Sequence, residues 1–176
     1  MVLLLLSAPP LWAEDAALRN ITLSNTNADL VLYLQLEGAL TDDIRRAILS
    51  GMPTSFEFVI HLNQVRILWF DEKIAEIHVV HTVKYDNLKK EFTVRRSWRG
   101  NEPEVTASFD EARALMNQVE NLKIIPLGRM EKGAQYQLRA KAEVSKRKLP
   151  FNLHNILFFV SLWDVETDWY VIDFTY

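Results

Sequence analysis

The chain has 176 residues, net charge −3, 49% hydrophobic and 24% charged residues, and no cysteine. That size suits one domain able to bury a core without covalent staples. The missing cysteines exclude disulfides, thiolate metal sites and a cysteine nucleophile, and the charge gives no global pull toward nucleic acid.

Residues 1–13 read MVLLLLSAPPLWA, an apolar uncharged run, a small-residue and proline stretch, then Ala13 before Glu14 and Asp15. This is the pattern of a secretory signal peptide cut near Ala13, with residues 14–176 as a single β-rich domain. No basic residue follows Met1 and the apolar run is short, which points to a true start upstream. A membrane span needs about 20 apolar residues, so none is expected in the mature chain.

Alternation of polar and apolar residues then dominates. A first strand is expected over 17–24, with a turn at Asn25-Thr26-Asn27. Over 30–36, Leu30, Leu32, Leu34 and Leu36 share one strand face. Thr41 caps a helix whose stripe is Ile44, Ala47 and Ile48, with Asp42 and Asp43 at its positive end. Gly51 and Pro53 end it. A long strand over 55–65 turns Phe56, Phe58, Ile60 and Leu62 one way. Residues 74–85 and 89–98 form a hairpin about Asp86-Asn87, with Phe92, Val94 and Trp98 on one face of the second strand.

Ser108 and Glu111 have the spacing of a capping box, and the helix after them buries Ala112, Leu115, Met116 and Val119. A short strand follows at 122–126. Over 135–144, Tyr136, Leu138, Ala140, Ala142 and Val144 face inward while Gln137, Arg139, Lys141 and Glu143 face out. Residues 151–162 form a short helix or an irregular apolar segment, and 168–176 the last strand. The expected fold is mainly β (α+β): an antiparallel β-sandwich or strongly curved sheet of about eight strands with two short helices. Too few helices alternate with strands for a parallel sheet.

No catalytic constellation is readable: the chain has no nucleophile elbow, no glycine-rich phosphate loop and no HExxH motif. His78 and His81 are three apart, which on a strand sends them to opposite faces, so no shared metal is expected. His81 reads as a hydrogen-bonded core residue; His61 and His154 have no evident partner. Trp69, Trp98, Trp163 and Trp169 suit core filling or sugar stacking. With Asp164, Glu166 and Asp168 they give a second reading, a carbohydrate-active or other hydrolase using Trp163, Trp169 and Asp164 or Asp168.

Charge is unevenly placed. Residues 84–99 carry six bases and two acids, residues 129–148 seven bases and two acids, and residues 149–176 four acids and no Lys or Arg. Opposite charges on neighbouring strands pair across a sheet. Any surplus makes a contact surface of Arg95, Arg96, Arg139, Lys141, Lys146, Arg147 and Lys148 for an acidic partner or anionic lipid headgroups. Lys146-Arg147-Lys148 beside the apolar 149–162 gives a third reading, a peripheral membrane adaptor.

The order of several short segments carries a resemblance. LTDDIRRAILSGMPTSFEFVIHL (40–62), LWFD (68–71), VKYDNLKKEFTV (83–94), SFDEARALM (108–116), GAQYQLRAKAEV (133–144), Leu149-Pro150 and the Trp163–Trp169 segment together resemble the bacterial domain of unknown function 4390 family. The resemblance spans nearly the whole chain after the leader. It implies an exported protein, with genes that often lie beside a membrane sensor histidine kinase of the nitrogen-regulation type. It implies no catalytic residue and no cofactor. The leading expectation is a non-enzymatic, exported (periplasmic) binding or accessory module of the envelope. Its partner would be an envelope protein, such as that sensor kinase, met through a sheet edge or a loop-end surface.

Overall fold

A computed structural model describes residues 15–66, 68, 70–144 and 165–176. The leader 1–13, Trp69, Lys146–Lys148, the segment 151–162, Trp163 and Asp164 lie outside the described residues.

Strand β1 (Ala17–Asn25) is antiparallel to β2 (Asp29–Glu37). The turn between them is closed by Thr26, whose Oγ1 accepts the N–H groups of Ala28 and Asp29. Leu30, Leu32, Leu34 and Leu36 are all buried, as their spacing requires. Asn20 has φ 51° and the β1 register slips between Arg19 and Thr22, a bulge that breaks this edge. Helix α1 (Asp42–Leu49) starts where Thr41 Oγ1 accepts the Ile44 N–H, and it buries Ile44, Ala47 and Ile48. Gly51 leaves it at φ +88°, and a Cβ there would meet Asn87 Nδ2 at 3.0 Å.

Strand β3 (Thr54–Gln64) lies between β4 (Glu72–Asp86) and β8 (Gln135–Val144), antiparallel to both. Strand β4 turns into β5 (Glu91–Arg96) through Asp86, whose Oδ1 accepts the N–H groups of Leu88 and Lys89. The second hairpin arm stops at Arg96, short of the expected Trp98. Residues Ser97–Arg99 make a 3₁₀ turn ended by Gly100 at φ +75°, and the chain returns as β6 (Pro103–Thr106) beside β5. Four residues beginning with proline show no alternation, so β6 left no trace in the sequence.

Ser108 Oγ accepts the Glu111 N–H to start helix α2 (Phe109–Asn117). The return arm of the expected box is replaced: Thr106 Oγ1 accepts the Ser108 N–H and bonds the Glu111 carboxylate. Val119 belongs not to this helix but to β7 (Gln118–Pro126), which follows α2 directly and pairs with β2. Asn121 at φ 56° breaks the alternation inside β7, which is why only 122–126 read as a strand. A short 3₁₀ turn, Leu127–Arg129, follows. The last strand, β9 (Tyr170–Thr175), pairs with β8.

The result is two antiparallel sheets, ordered β1-β2-β7 and β6-β5-β4-β3-β8-β9. Their facing sides and the buried sides of both helices share one core. Phe56, Phe58, Ile60 and Leu62 of β3 form its spine, each at most 1% exposed. All five inward residues of β8 are buried as expected.

Candidate binding cleft

Among the described residues four strands end the two sheets, and three carry features that discourage pairing with another chain. Strand β6 is short and starts with proline, which lacks an N–H. Strand β1 is bulged at Asn20. Strand β7 bends at Asn121 and ends in Pro126. Strand β9 carries no such device. Its six residues, Tyr-Val-Ile-Asp-Phe-Thr, are aromatic or β-branched except Asp173. Among the described residues no strand lies beyond it.

The backbone direction follows from its last bonds. Tyr176 N–H donates to the Ala134 carbonyl and Tyr176 C=O accepts the Gly133 N–H. Antiparallel alternation then turns Phe174 and Ile172 toward β8, and leaves the N–H and C=O of Val171, Asp173 and Thr175 pointing outward.

A cleft of about 630 Å³ runs between β9 and β1. One wall is Ile21 and Leu23 of β1 with Leu127; the other is Tyr170, Ile172, Phe174 and Tyr176. Ile172 and Phe174 pair with buried Leu138 and Tyr136, so they continue the core face to the margin of the sheet. Tyr170 is 43% exposed. The Tyr136 ring stacks on Phe174 at 5.7 Å, and its hydroxyl accepts the Glu131 N–H. A second hollow of about 360 Å³ lies along Val65, Asp71, Gln137 and Asp173, so β9 has space on both faces. The cleft can take an extended apolar segment that adds a strand to β9 and places alternate side chains inside.

Of the expected basic surface, Arg95, Arg96, Arg139 and Lys141 are described and do not form one patch, while Lys146, Arg147 and Lys148 lie outside the described residues. Arg96 is a correction: it is 3% exposed, because its position on β5 continues the inward series Phe92, Val94. Its guanidinium is bidentate to Glu104, with nitrogen–oxygen distances of 2.6–2.9 Å. Arg95 is on the outer face, donating to the Asn101 carbonyl. Arg139 and Lys141 are three strands away from it and cover the Trp169 ring at 4.8 and 5.3 Å. Lys141 also pairs with Glu166 at 2.5 Å and Glu143 at 3.2 Å, and these bonds raise its pKa, Glu166 foremost. Glu166 of the acidic tail thus pairs with Lys141 of β8, a cross-strand ion pair.

Trp169 continues the outward series Asp173, Val171 of β9, which sets it on the face of Arg139 and Lys141. Thr167 N–H donates to the Ala142 carbonyl while its Oγ1 accepts the Ala142 N–H. His61, with no partner evident in the sequence, stacks against Trp169 at 5.1 Å and lies 3.5 Å from Glu76. Asp168 is exposed beside Trp169.

The histidines fall as strand geometry requires. His78 is on the outer face between Glu57 (2.8 Å) and Glu76 (3.3 Å), and the Glu57 hydrogen bond raises its pKa. Glu76 is pulled down to about 2, first by the Lys73 hydrogen bond and then by His78. His81 faces the core. No group of three metal-ligating side chains occurs among the described residues. Neither cavity is lined by these histidines.

The cleft residues were read in the sequence only as strand and core. The signal present was the alternation Tyr170, Ile172, Phe174, Tyr176 at the end of the chain, which does not say whether a second layer covers it.

Compared with known families, residues 13–173 match the one described as Domain of unknown function (DUF4390). The chain belongs to that family. The match runs from Ala13 into β9, so the DUF4390 unit includes both sheets and both helices. No curated protein and no solved structure matches the chain.

Proposed function

We propose that this DUF4390 chain is a non-enzymatic binding module of the bacterial envelope that takes an extended, apolar segment of a partner protein along β9. The β9 edge beside the apolar cleft, on which no strand lies among the described residues, carries this reading. An unprotected edge of aromatic and β-branched residues is an aggregation hazard unless something pairs with it. Strand addition needs only backbone donors and acceptors plus a few pockets, and β9 offers both. Export agrees with the leader at 1–13, and gives a mature chain starting near Glu14. The membrane sensor kinase implied by the family resemblance is the first partner to try.

The hydrolase reading gains less. The Trp169 ring is covered by Arg139, Lys141 and His61, which accounts for it as packing.

The test is a photo-reactive side chain in place of Tyr170, in living cells. A discrete adduct should form. Val171→Pro should abolish it by removing an outward N–H without touching the β8 ladder, while Val171→Ala should keep it. An adduct indifferent to Val171→Pro would refute strand addition at β9.

A further inference from the structure

Strand β9 presents two different faces to anything that pairs with it. The cleft side carries Ile172 and Phe174. The other side carries Asp173, because its partner Gln137 lies between the inward residues Tyr136 and Leu138 of β8. Gln137 Nε2 donates to Asp173 Oδ1 at 2.9 Å, which holds the carboxylate on the outer face. An added strand would therefore meet apolar side chains on one face and an acid on the other.

Among the described residues no cation pairs with this carboxylate. Asp173 is exposed, and its one side-chain partner is the Gln137 amide. Across the sheet from it come Gln137 and then Asn63, both uncharged. Arg139, the next outward residue of β8, lies over the Trp169 ring instead. Asp71 is the other acid lining the hollow of about 360 Å³ beside Asp173, and its carboxylate accepts the Arg66 backbone N–H rather than a basic side chain. Farther along the same face the charges are matched, with Lys141 bonded to Glu143 and Glu166. The negative charge left over is at the Asp173 end of the edge.

Backbone geometry fixes what meets Asp173. Its N–H and C=O point outward, so in an antiparallel partner one residue exchanges both bonds with it. The Cα of that residue lies about 5.5 Å from the Cα of Asp173, with its side chain on the same outer face. Its two neighbours in the added strand fall beside Ile172 and Phe174, in the cleft.

We propose that the segment β9 receives is an amphipathic strand with a Lys or Arg directly across from Asp173, flanked on both sides by apolar residues that enter the cleft. This rests on strand addition at β9 and adds the charge pattern of the partner. Opposite charges across a strand pair attract and like charges repel, so Asp173 selects by sign. The same charge acts against a second copy of this chain. The fullest two-fold pairing of β9 with itself sets one Asp173 against the other. A single acid on an otherwise aromatic and β-branched edge thus blunts self-association and admits a basic partner.

The probes are blocked, fluorescently labelled peptides Val-Thr-Val-X-Val-Thr-Val with Lys, Gln or Glu at X, titrated with the full chain and followed by anisotropy. The Lys peptide should bind about three- to tenfold more tightly than the Glu peptide, with Gln between them. Asp173→Asn, which keeps an oxygen for the Gln137 amide, should flatten the series, and Asp173→Lys should invert it. Both variants should melt close to the parent, since Asp173 is exposed. The Lys preference should shrink as salt is raised, because an exposed pair is screened. Val171→Pro should abolish binding of all three peptides. Binding that Val171→Pro abolishes but that ignores X, or an order unchanged in Asp173→Lys, would overturn the basic-strand inference and leave strand addition standing. Binding of no peptide, or binding indifferent to Val171→Pro, would overturn both.

Discussion

The indole N–H of Trp98 donates to His81 Nε2 at 3.0 Å, at the centre of the core side of the large sheet. The other ring nitrogen, Nδ1, donates to the Met116 carbonyl at 2.9 Å, near the end of α2. One neutral imidazole therefore joins the β5 turn, β4 and α2, and both bonds fix its tautomer. Burial, aided by the nearby Arg96 charge, pushes His81 down to about 4.

This makes stability depend on pH in a defined window. An unfolded histidine takes its proton near pH 6.5, while folded His81 resists until about 4. Between these values the unfolded chain binds more protons, so stability falls as pH falls. The full difference is roughly 3 kcal/mol. His78 acts oppositely: its raised pKa gives stability present below pH 6.5 and lost as pH rises through its folded value. Denaturant titrations from pH 7 to 4 should show the decline, and His78→Ala should leave it intact. His81→Leu, which has no proton to bind, should flatten it. An unchanged slope in His81→Leu would contradict the assignment.

Glu104→Ala should destabilise the fold more than any change at Arg95. It leaves the Arg96 guanidinium, only 4% exposed, without its carboxylate. Stranding one partner of such a pair costs roughly 3 kcal/mol. Arg95→Ala removes only an exposed bond to the Asn101 carbonyl and should stay within about 0.5 kcal/mol. Thermal melts of the two variants check the difference. Equal melting temperatures would place Arg96 at the surface after all.

Leu138→Asp should unfold the chain or nearly so, because Leu138 is 0% exposed between β3 and β9. Arg139→Asp should lose mainly its contact over Trp169, about 0.5–1 kcal/mol. Circular dichroism of both variants reads the register of β8. Equal losses would mean that the alternation is misassigned.

The parts legible in sequence share one property: a local pattern with one physical cause. The β8 alternation, the Thr41 and Ser108 caps and the Asp86 turn were each set by residues a few positions apart. What escaped depended on distant chain. Arg96 looked like surface charge because its partner Glu104 is on β6, a strand that left no pattern. Trp98 looked like the end of a strand because its partner His81 is on β4. The cleft was invisible because no sequence signal says that the small sheet stops short of β9.

The most direct measurement is backbone hydrogen exchange on the chain alone and on the complex isolated through the Tyr170 crosslink position. The outward amides of Val171, Asp173 and Thr175 should exchange rapidly in the free chain and become protected in the complex, with those of β6 unchanged. Protection confined to β5 and β6, or none along β9, would contradict strand addition as the way this DUF4390 chain binds.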